Sequence, residues 1–291
     1  MELLASIPSP SSGDIDVGPL ELHAYGLMLL LGILAATWIT GIRWVRRGGD
    51  WDLVFRVAMW GVAGGVVGAR LYHVATSWSE VPDDWWGVFA IWKGGLGVWG
   101  GIAGGVLAGA IVVWRAGESV FAFMDTAAPG LLVAQAIGRW GNYFNQELFG
   151  KPTDLPWALE IDPLHRTEGY ADEPTFHPTF LYEFGWNLLG VAVLLLVERR
   201  FRIRAPGLFA LYVAWYTFGR AFEELLRIDP SHELFGLRLN FYVSVGLFAL
   251  AVLAFIWSQR RRGAEAGRPR HRPVPEGPKM AVPKGRVRHG R

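Results

Sequence analysis

The segment GRWGNYFNQELFG, residues 138–150, sets an arginine, two asparagines and a glutamate among three glycines. The Arg139 guanidinium is a planar fork of donors, charged at any relevant pH, whose geometry matches a phosphate. Asn142 and Asn145 can hydrogen-bond glycerol hydroxyls or ester carbonyls without adding charge, and Glu147 can orient an arginine or accept a proton. The glycines, Gly150 among them, allow a sharp turn or a close approach of backbone to a ligand. A second set, Tyr216, Arg220, Glu224 and Arg227, is spaced by four, four and three residues and shares one face of a helix. An Arg220–Glu224 ion pair is one use of that face, although arginine before glutamate is the less favoured order at this spacing. Arginines facing one cavity point to the head group of a phospholipid.

Several familiar chemistries are excluded. The chain has no cysteine, so it forms no disulfide or thiolate metal site and carries no cysteine nucleophile. It has no GxSxG elbow, no HExxH zinc motif and no Walker loop, and neither metal, cofactor nor nucleic acid is expected. What remains is positional and electrostatic catalysis, in which arginines stabilise a departing phosphate while an external nucleophile attacks.

Those residues need a scaffold. At 52% hydrophobic residues with 15 tryptophans, the chain reads as a membrane protein. A spanning helix needs about 20 mostly apolar residues. Seven stretches qualify, roughly 20–41, 53–76, 87–114, 119–138, 179–197, 205–224 and 238–258. The fourth carries Asp125 and Pro129, which fit an interior, kinked helix rather than a lipid-facing one. Arginines follow the first span (Arg43, Arg46, Arg47), the third (Arg115) and the fifth (Arg199, Arg200, Arg202, Arg204), and a basic tail follows the seventh. The intervening connections, SWSEVPDDWW and the acidic loop at about 139–178, face the other way by the positive-inside rule. The expectation is an all-α, polytopic integral membrane protein with seven transmembrane helices, its N-terminus outside and its C-terminus cytoplasmic. Residues 1–258 would form the membrane catalytic domain and 259–291 a disordered basic tail in contact with membrane lipids or serving as topogenic charge. The N-terminal stretch lacks the basic start and apolar run of a secretory signal, so the first span is expected to remain as an anchor.

This topology brings the polar residues to one depth. His23 and Tyr25 open the first span, Arg70, Tyr72 and His73 close the second, and Arg139 to Glu147 close the fourth. His177, Tyr182 and Glu183 open the fifth, and Tyr216 to Arg227 close the sixth, all toward the outer leaflet. A charge in hydrocarbon costs at least ~2.5–3.5 kcal/mol on insertion scales, so such convergence calls for a task. Glycines every fourth residue, Gly97, Gly101, Gly105 and Gly109 with Gly61/Gly65 and Gly64/Gly68, mark helices packed closely.

The 138–150 block resembles the signature of the prolipoprotein diacylglyceryl transferases, G-R-x-G-N-[FY]-x-N-x-E-x-x-G. The resemblance extends through AYGLM at Tyr25, GARLYHV at Arg70, KGGLGVWGG at 93–101, HPTFLYE at 177–183 and YTFGRAFEELLR at 216–227. It implies a multi-pass enzyme of the bacterial cytoplasmic membrane. Such an enzyme moves diacylglycerol from phosphatidylglycerol to the lipobox cysteine of a prelipoprotein signal peptide, forming a thioether and releasing glycerol phosphate. By the same resemblance Arg139 and Arg220 bind and polarise the phosphate, with Asn142, Glu147, Gly150, Tyr25, Tyr216 and Glu224 completing the site. Asn145, Arg70 and His177 join these as candidate substrate-binding residues. One departure stands out: many members carry a histidine in the glycine-rich third span, as a proposed base for the thiol, where this chain has Trp99. His177, Glu147 or a lipid phosphate oxygen could take that proton, or a thiol with pKa near 8.5 could need only a modest shift beside Arg139.

Two other classes compete. An anion transporter predicts polar residues through the full membrane depth, yet the inner half offers little beyond Asp125 and Arg56. A phosphatidyl transferase of the CDP-alcohol type needs a paired-aspartate metal motif, which is missing.

Overall fold

The computed structural model describes residues 6–17, 20–82, 84 and 86–261. Seven long helices carry the fold: α1 (Ala24–Arg46), α2 (Trp51–Thr76), α3 (Val98–Arg115), α4 (Val120–Phe144), α5 (Thr179–Arg200), α6 (Gly207–Leu226) and α7 (Leu239–Arg260). All except α6 are long and apolar enough to cross a bilayer. The exception holds Arg220, Glu223 and Glu224 in its last two turns. Leu34, Trp38, Met59, Trp60, Leu107 and Leu253 are all more than half exposed. Apolar side chains turned outward in this number define a multi-pass membrane protein whose surface is matched to lipid.

The architecture is mostly helical as expected, but the loops are not wholly irregular. Three short antiparallel ribbons, β1 (Asp14–Val17) with β2 (Leu20–His23), β3 (Leu159–Glu160) with β4 (Thr175–Phe176), and β5 (Glu233–Leu234) with β6 (Leu237–Arg238), sit at helix ends. The third helix also starts later than its apolar run, at Val98 rather than 87. Residues 87–97 form 3-10 turns and a loop, because Gly94 and Gly95 adopt φ of 85° and 73° and break the helix. Most of the basic tail expected from 259, residues 262–291, lies outside the described residues.

Packing follows small residues. The α2–α3 seam is made by Gly64 and Gly68 against Gly100 and Gly104. A Cβ on Gly68 would stand 2.3 Å from the Gly100 carbonyl oxygen, and one on Gly104 2.3 Å from that of Gly64. The every-fourth pattern through Gly101 and Gly105 lies beside this seam and is looser, with Gly105 at 3.1 Å from the Gly61 oxygen. In α1 and α4 the close approach is Gly32 to Ala134 and Gly130 to Ala36.

Helix α4 is the most buried candidate span, and its Pro129 shows how an interior helix tolerates proline. The ring removes the N–H that would bond the Asp125 carbonyl. Arg43 of α1 fills the gap, donating from Nη2 to Asp125 O at 3.4 Å and from Nε to Thr126 O at 2.8 Å. Its Nη1 and Nη2 also grip Glu198 of α5 at 2.8 and 3.1 Å, and Arg47 joins the same carboxylate at 2.6 Å. The Asp125 carboxylate accepts the Phe209 N–H at 2.8 Å, satisfying a donor left open in the first turn of α6. One arginine and one aspartate thus tie α1, α4, α5 and α6 together at one end of the bundle.

Candidate functional site

The opposite end gathers the closing turns of α4 and α6 with the opening turns of α5 and α7. Arg139, in the penultimate turn of α4, pairs through Nε with Glu183 of α5 and donates from Nη1 to Asn142 Oδ1 at 3.1 Å. Arg220 of α6 reaches the other oxygen of the same Glu183 at 2.7 Å. The two arginines chosen from sequence therefore share one carboxylate, itself only 7% exposed. Arg220 also pairs with Glu224 one turn on, so the i,i+4 contact forms despite its unfavoured order. Glu224 is fully buried and passes its second oxygen to Arg238 Nε at 2.6 Å. Arg238 and Arg227 then close on Asp229, at 2.8 Å and 2.7 Å.

Glu183 and Arg238 are the central additions to the candidates chosen from sequence. Glu183 was visible as a polar residue at the right depth, but only the crossing of α4, α5 and α6 shows that it bridges the arginines. Arg238 had no local signal, since its partner Glu224 lies 14 residues earlier across the β5–β6 hairpin. Outside the spans the charge balance is legible in the titrations. Burial works against the Asp229 carboxylate, but its hydrogen bonds with Arg227 and Arg238 outweigh that and hold it below the ordinary carboxylate value.

Asn142 is buried and relays Arg139 to Glu147, donating from Nδ2 to Glu147 Oε1 at 2.8 Å. Asn145, the C-cap of α4, reaches the same oxygen at 3.4 Å. Helix α4 runs on to Phe144 rather than stopping near 138, so Gly138 and Gly141 are helical and make no turn. The reversal is made by Gln146 and Leu148, at φ of 50° and 60°. Gly141 gives room for the Tyr25 ring, whose Cδ2 would lie 2.5 Å from an added Cβ. The Tyr25 and Tyr216 phenols stand beside the Arg139 guanidinium. Gly150 pins the loop: its N–H donates to His177 O at 2.9 Å, Lys151 N–H donates to Leu226 O at 2.8 Å, and an added Cβ would meet His177 Cβ at 2.8 Å.

His177 and Arg70 stand apart from the arginine pair. His177 Nδ1 lies 3.0 Å from the Tyr182 hydroxyl, and burial lowers its pKa, favouring the neutral ring. Arg70 is buried and spends its guanidinium on backbone carbonyls of Gly87 (2.6 Å), Val88 (2.8 Å), Gly94 (2.9 Å) and Gly95 (3.0 Å). It folds the loop between α2 and α3 and shares no hydrogen bond or ion pair with the other candidates among the described residues. Trp99 sits in the first turn of α3, 47% exposed.

Fold and site define a class: a helical membrane protein with a largely buried cluster of guanidiniums and carboxylates at one end of its bundle. The family model for prolipoprotein diacylglyceryl transferase matches residues 14–257, and the chain belongs to that family. It is 51% identical to a phosphatidylglycerol–prolipoprotein diacylglyceryl transferase of Frankia alni, over 89% of this chain and 69% of the relative. Proteins of the same name in Streptomyces coelicolor and Cutibacterium acnes are each 48% identical over 89% of this chain, and 82% and 88% of their own.

Proposed function

We propose that the protein transfers the diacylglyceryl group of phosphatidylglycerol to the lipobox cysteine of a prelipoprotein at the outer face of the bacterial cytoplasmic membrane. All seven helices would span, α6 included, since its charged residues pair with one another, with Glu183 of α5 and with Arg238 at the N-cap of α7 instead of facing lipid. The arginines after the first, third and fifth spans would keep that side cytoplasmic, with the N-terminus outside.

The single observation that carries this reading is the sharing of Glu183 by Arg139 and Arg220. The two guanidiniums converge on one carboxylate, while Arg220 is also held by Glu223 and Glu224 on its own helix. Each guanidinium has five N–H donors, and Arg139 spends its Nε and Nη1 on Glu183 and Asn142. A lipid phosphate entering between them meets charge and donors already positioned. The cysteine sulfur attacks the glycerol carbon that bears the phosphate, forming the C–S bond as the C–O bond breaks. Glycerol phosphate leaves with the electron pair, and Arg139 and Arg220 stabilise its charge. The thiol proton passes to a phosphate oxygen or to water, its loss eased by the nearby positive charge. Trp99 takes no part in that proton transfer. His177, tied to Tyr182 beyond the arginine pair, acts in the loop rather than as the base. Asn142 and Glu147 hold Arg139 in place, Glu224 holds Arg220, Tyr25 and Tyr216 flank the phosphate, and Arg70 positions the loop above. The test is mass spectrometry of a lipobox peptide incubated with the purified protein and one defined phosphatidylglycerol. A thioether adduct of diacylglyceryl mass is expected; an unmodified peptide overturns the reading.

A further inference from the structure

Beneath the charged layer lies a second polar layer, of which the phosphate site uses only Tyr216. On each of three helices an uncharged polar residue sits four positions deeper than a charged one: Gln135 below Arg139 on α4, Asn187 below Glu183 on α5, and Tyr216 below Arg220 on α6. Four residues of helix are about 6 Å. Asn187 is 1% exposed, yet neither atom of its amide has a hydrogen-bond partner among the described residues. It shares a buried face with Glu183, Gly190 and Leu194. At Gly190 that face meets Leu132 of α4 and Trp215 of α6, so Asn187 points into the interior where the three helices meet. The Gln135 Oε1 is likewise buried without a partner, while its amide lies beside the Tyr212 hydroxyl. Native proteins seldom leave a buried amide unpaired, because it forfeits the hydrogen bonds water would give and gains none.

The spacing matches a glycerolipid. With the phosphate held by Arg139 and Arg220, the glycerol runs inward and its ester carbonyls fall about one helical turn deeper, level with the unpaired amides. The layer below them, Leu132, Leu194 and Leu208, is apolar and suits the start of acyl chains. An ester carbonyl is an acceptor without a donor, which an amide N–H satisfies and an ether oxygen, lacking the carbonyl, does so poorly.

We propose that Asn187, through its unpaired amide N–H, is a subsite for an ester carbonyl of the diacylglyceryl group and makes the protein discriminate ester-linked from ether-linked glycerophospholipids. The inference rests on the diacylglyceryl-transfer reading above. The test compares dipalmitoyl phosphatidylglycerol with its dialkyl ether analogue as donors to a lipobox peptide, measuring kcat/KM for the wild-type protein and for Asn187→Leu. The wild type should prefer the ester by about tenfold, as expected for one good hydrogen bond to a buried group. Asn187→Leu should lose that factor on the ester, keep the wild-type value on the ether, and so bring the ratio near one. A merely structural role lowers both donors alike and leaves the ratio unchanged; that outcome overturns the subsite, as does a wild-type protein that treats the donors equally because the amides hold only buried water. If Asn187→Leu fails to accumulate in membranes, Asn187→Ala is read on the same ratio, with the same two outcomes. Absence of any thioether from the ester donor sinks the transferase reading itself, a result distinct from an unchanged ratio.

Discussion

Both ends of the bundle bury arginines against glutamate, and they do so differently. At one end Arg43 and Arg47 converge on Glu198, and their remaining donors go to the Asp125, Thr126 and Ala122 carbonyls and the Thr126 hydroxyl. That cluster closes a hole left by Pro129, and the protein itself exhausts its hydrogen bonds. At the other end Arg139 and Arg220 share Glu183, Arg220 also holds Glu223 and Glu224, and the unpaired Asn187 amide lies one turn below. On the function proposed above, the same residue types serve as mortar in one place and as a receptor in the other. The difference lies in the unpaired polar atoms of Asn187 and Gln135 beneath the second cluster, which is a property of neighbours and not of the charges.

The comparison breaks first at the arginines. Arg139→Ala or Arg220→Ala should lower transfer to a lipobox peptide by roughly 10²–10³-fold, the cost of losing a donor aimed at developing charge, while the protein still accumulates in membranes. Full activity in both variants would end the phosphate-clamp mechanism. The mirror experiment is Glu198→Ala, which leaves Arg43 and Arg47 without their shared carboxylate in a half-buried site and should destabilise the fold by about 1–3 kcal/mol. Its readout is a lower Tm in detergent with wild-type turnover per folded molecule; a specific loss of turnover would erase the contrast between the two ends. Smaller still, Asp125→Ala removes the acceptor for the first turn of α6 and should cost about 0.5–2 kcal/mol by thermal melting, again without a change in turnover.

The smallest effects separate base chemistry from packing. Trp99→Ala should reduce activity through lost lipid positioning, while His177→Ala keeps a substantial fraction; near-complete loss in His177→Ala would make it the leading base. Burial lowers the His177 pKa from its ordinary 6.5, so the unfolded chain binds the proton more readily. Its contribution to stability is therefore complete above that value and fades as pH falls through 6.5 toward the folded pKa. A stability profile for His177→Gln should lack that step. Asp229 has the same sign at lower pH: its depressed pKa keeps its ion pairs intact above the ordinary carboxylate value and loses them below it.

Much of this was legible without coordinates. Hydropathy marked stretches that overlap the seven long helices, six of which are apolar enough to span, and polar residues at one depth in separate stretches marked the candidate site, because charges in hydrocarbon need a reason. Boundaries were less legible. The apolar run from 87 reads as helix, but Gly94 and Gly95 and the grip of Arg70 on the carbonyls turn it into a loop. Arg70 itself illustrates the limit, since a buried arginine at the right depth looks the same in sequence whether it awaits a phosphate or holds a backbone. The glycines at 138 and 141 suggested a turn that Gln146 and Leu148 make instead.

The sequence alone determined which residues are apolar enough to enter the bilayer and which charged groups must find partners there, since both follow from transfer energies summed along the chain. It could not assign those partners. That Glu183 joins Arg139 to Arg220, that Glu224 passes to Arg238, and that Asn187 is left unpaired were decided by how α4, α5, α6 and α7 cross. Hydrogen bonds are short and directional, so who meets whom depends on helix rotation and register, which only the packed structure fixes.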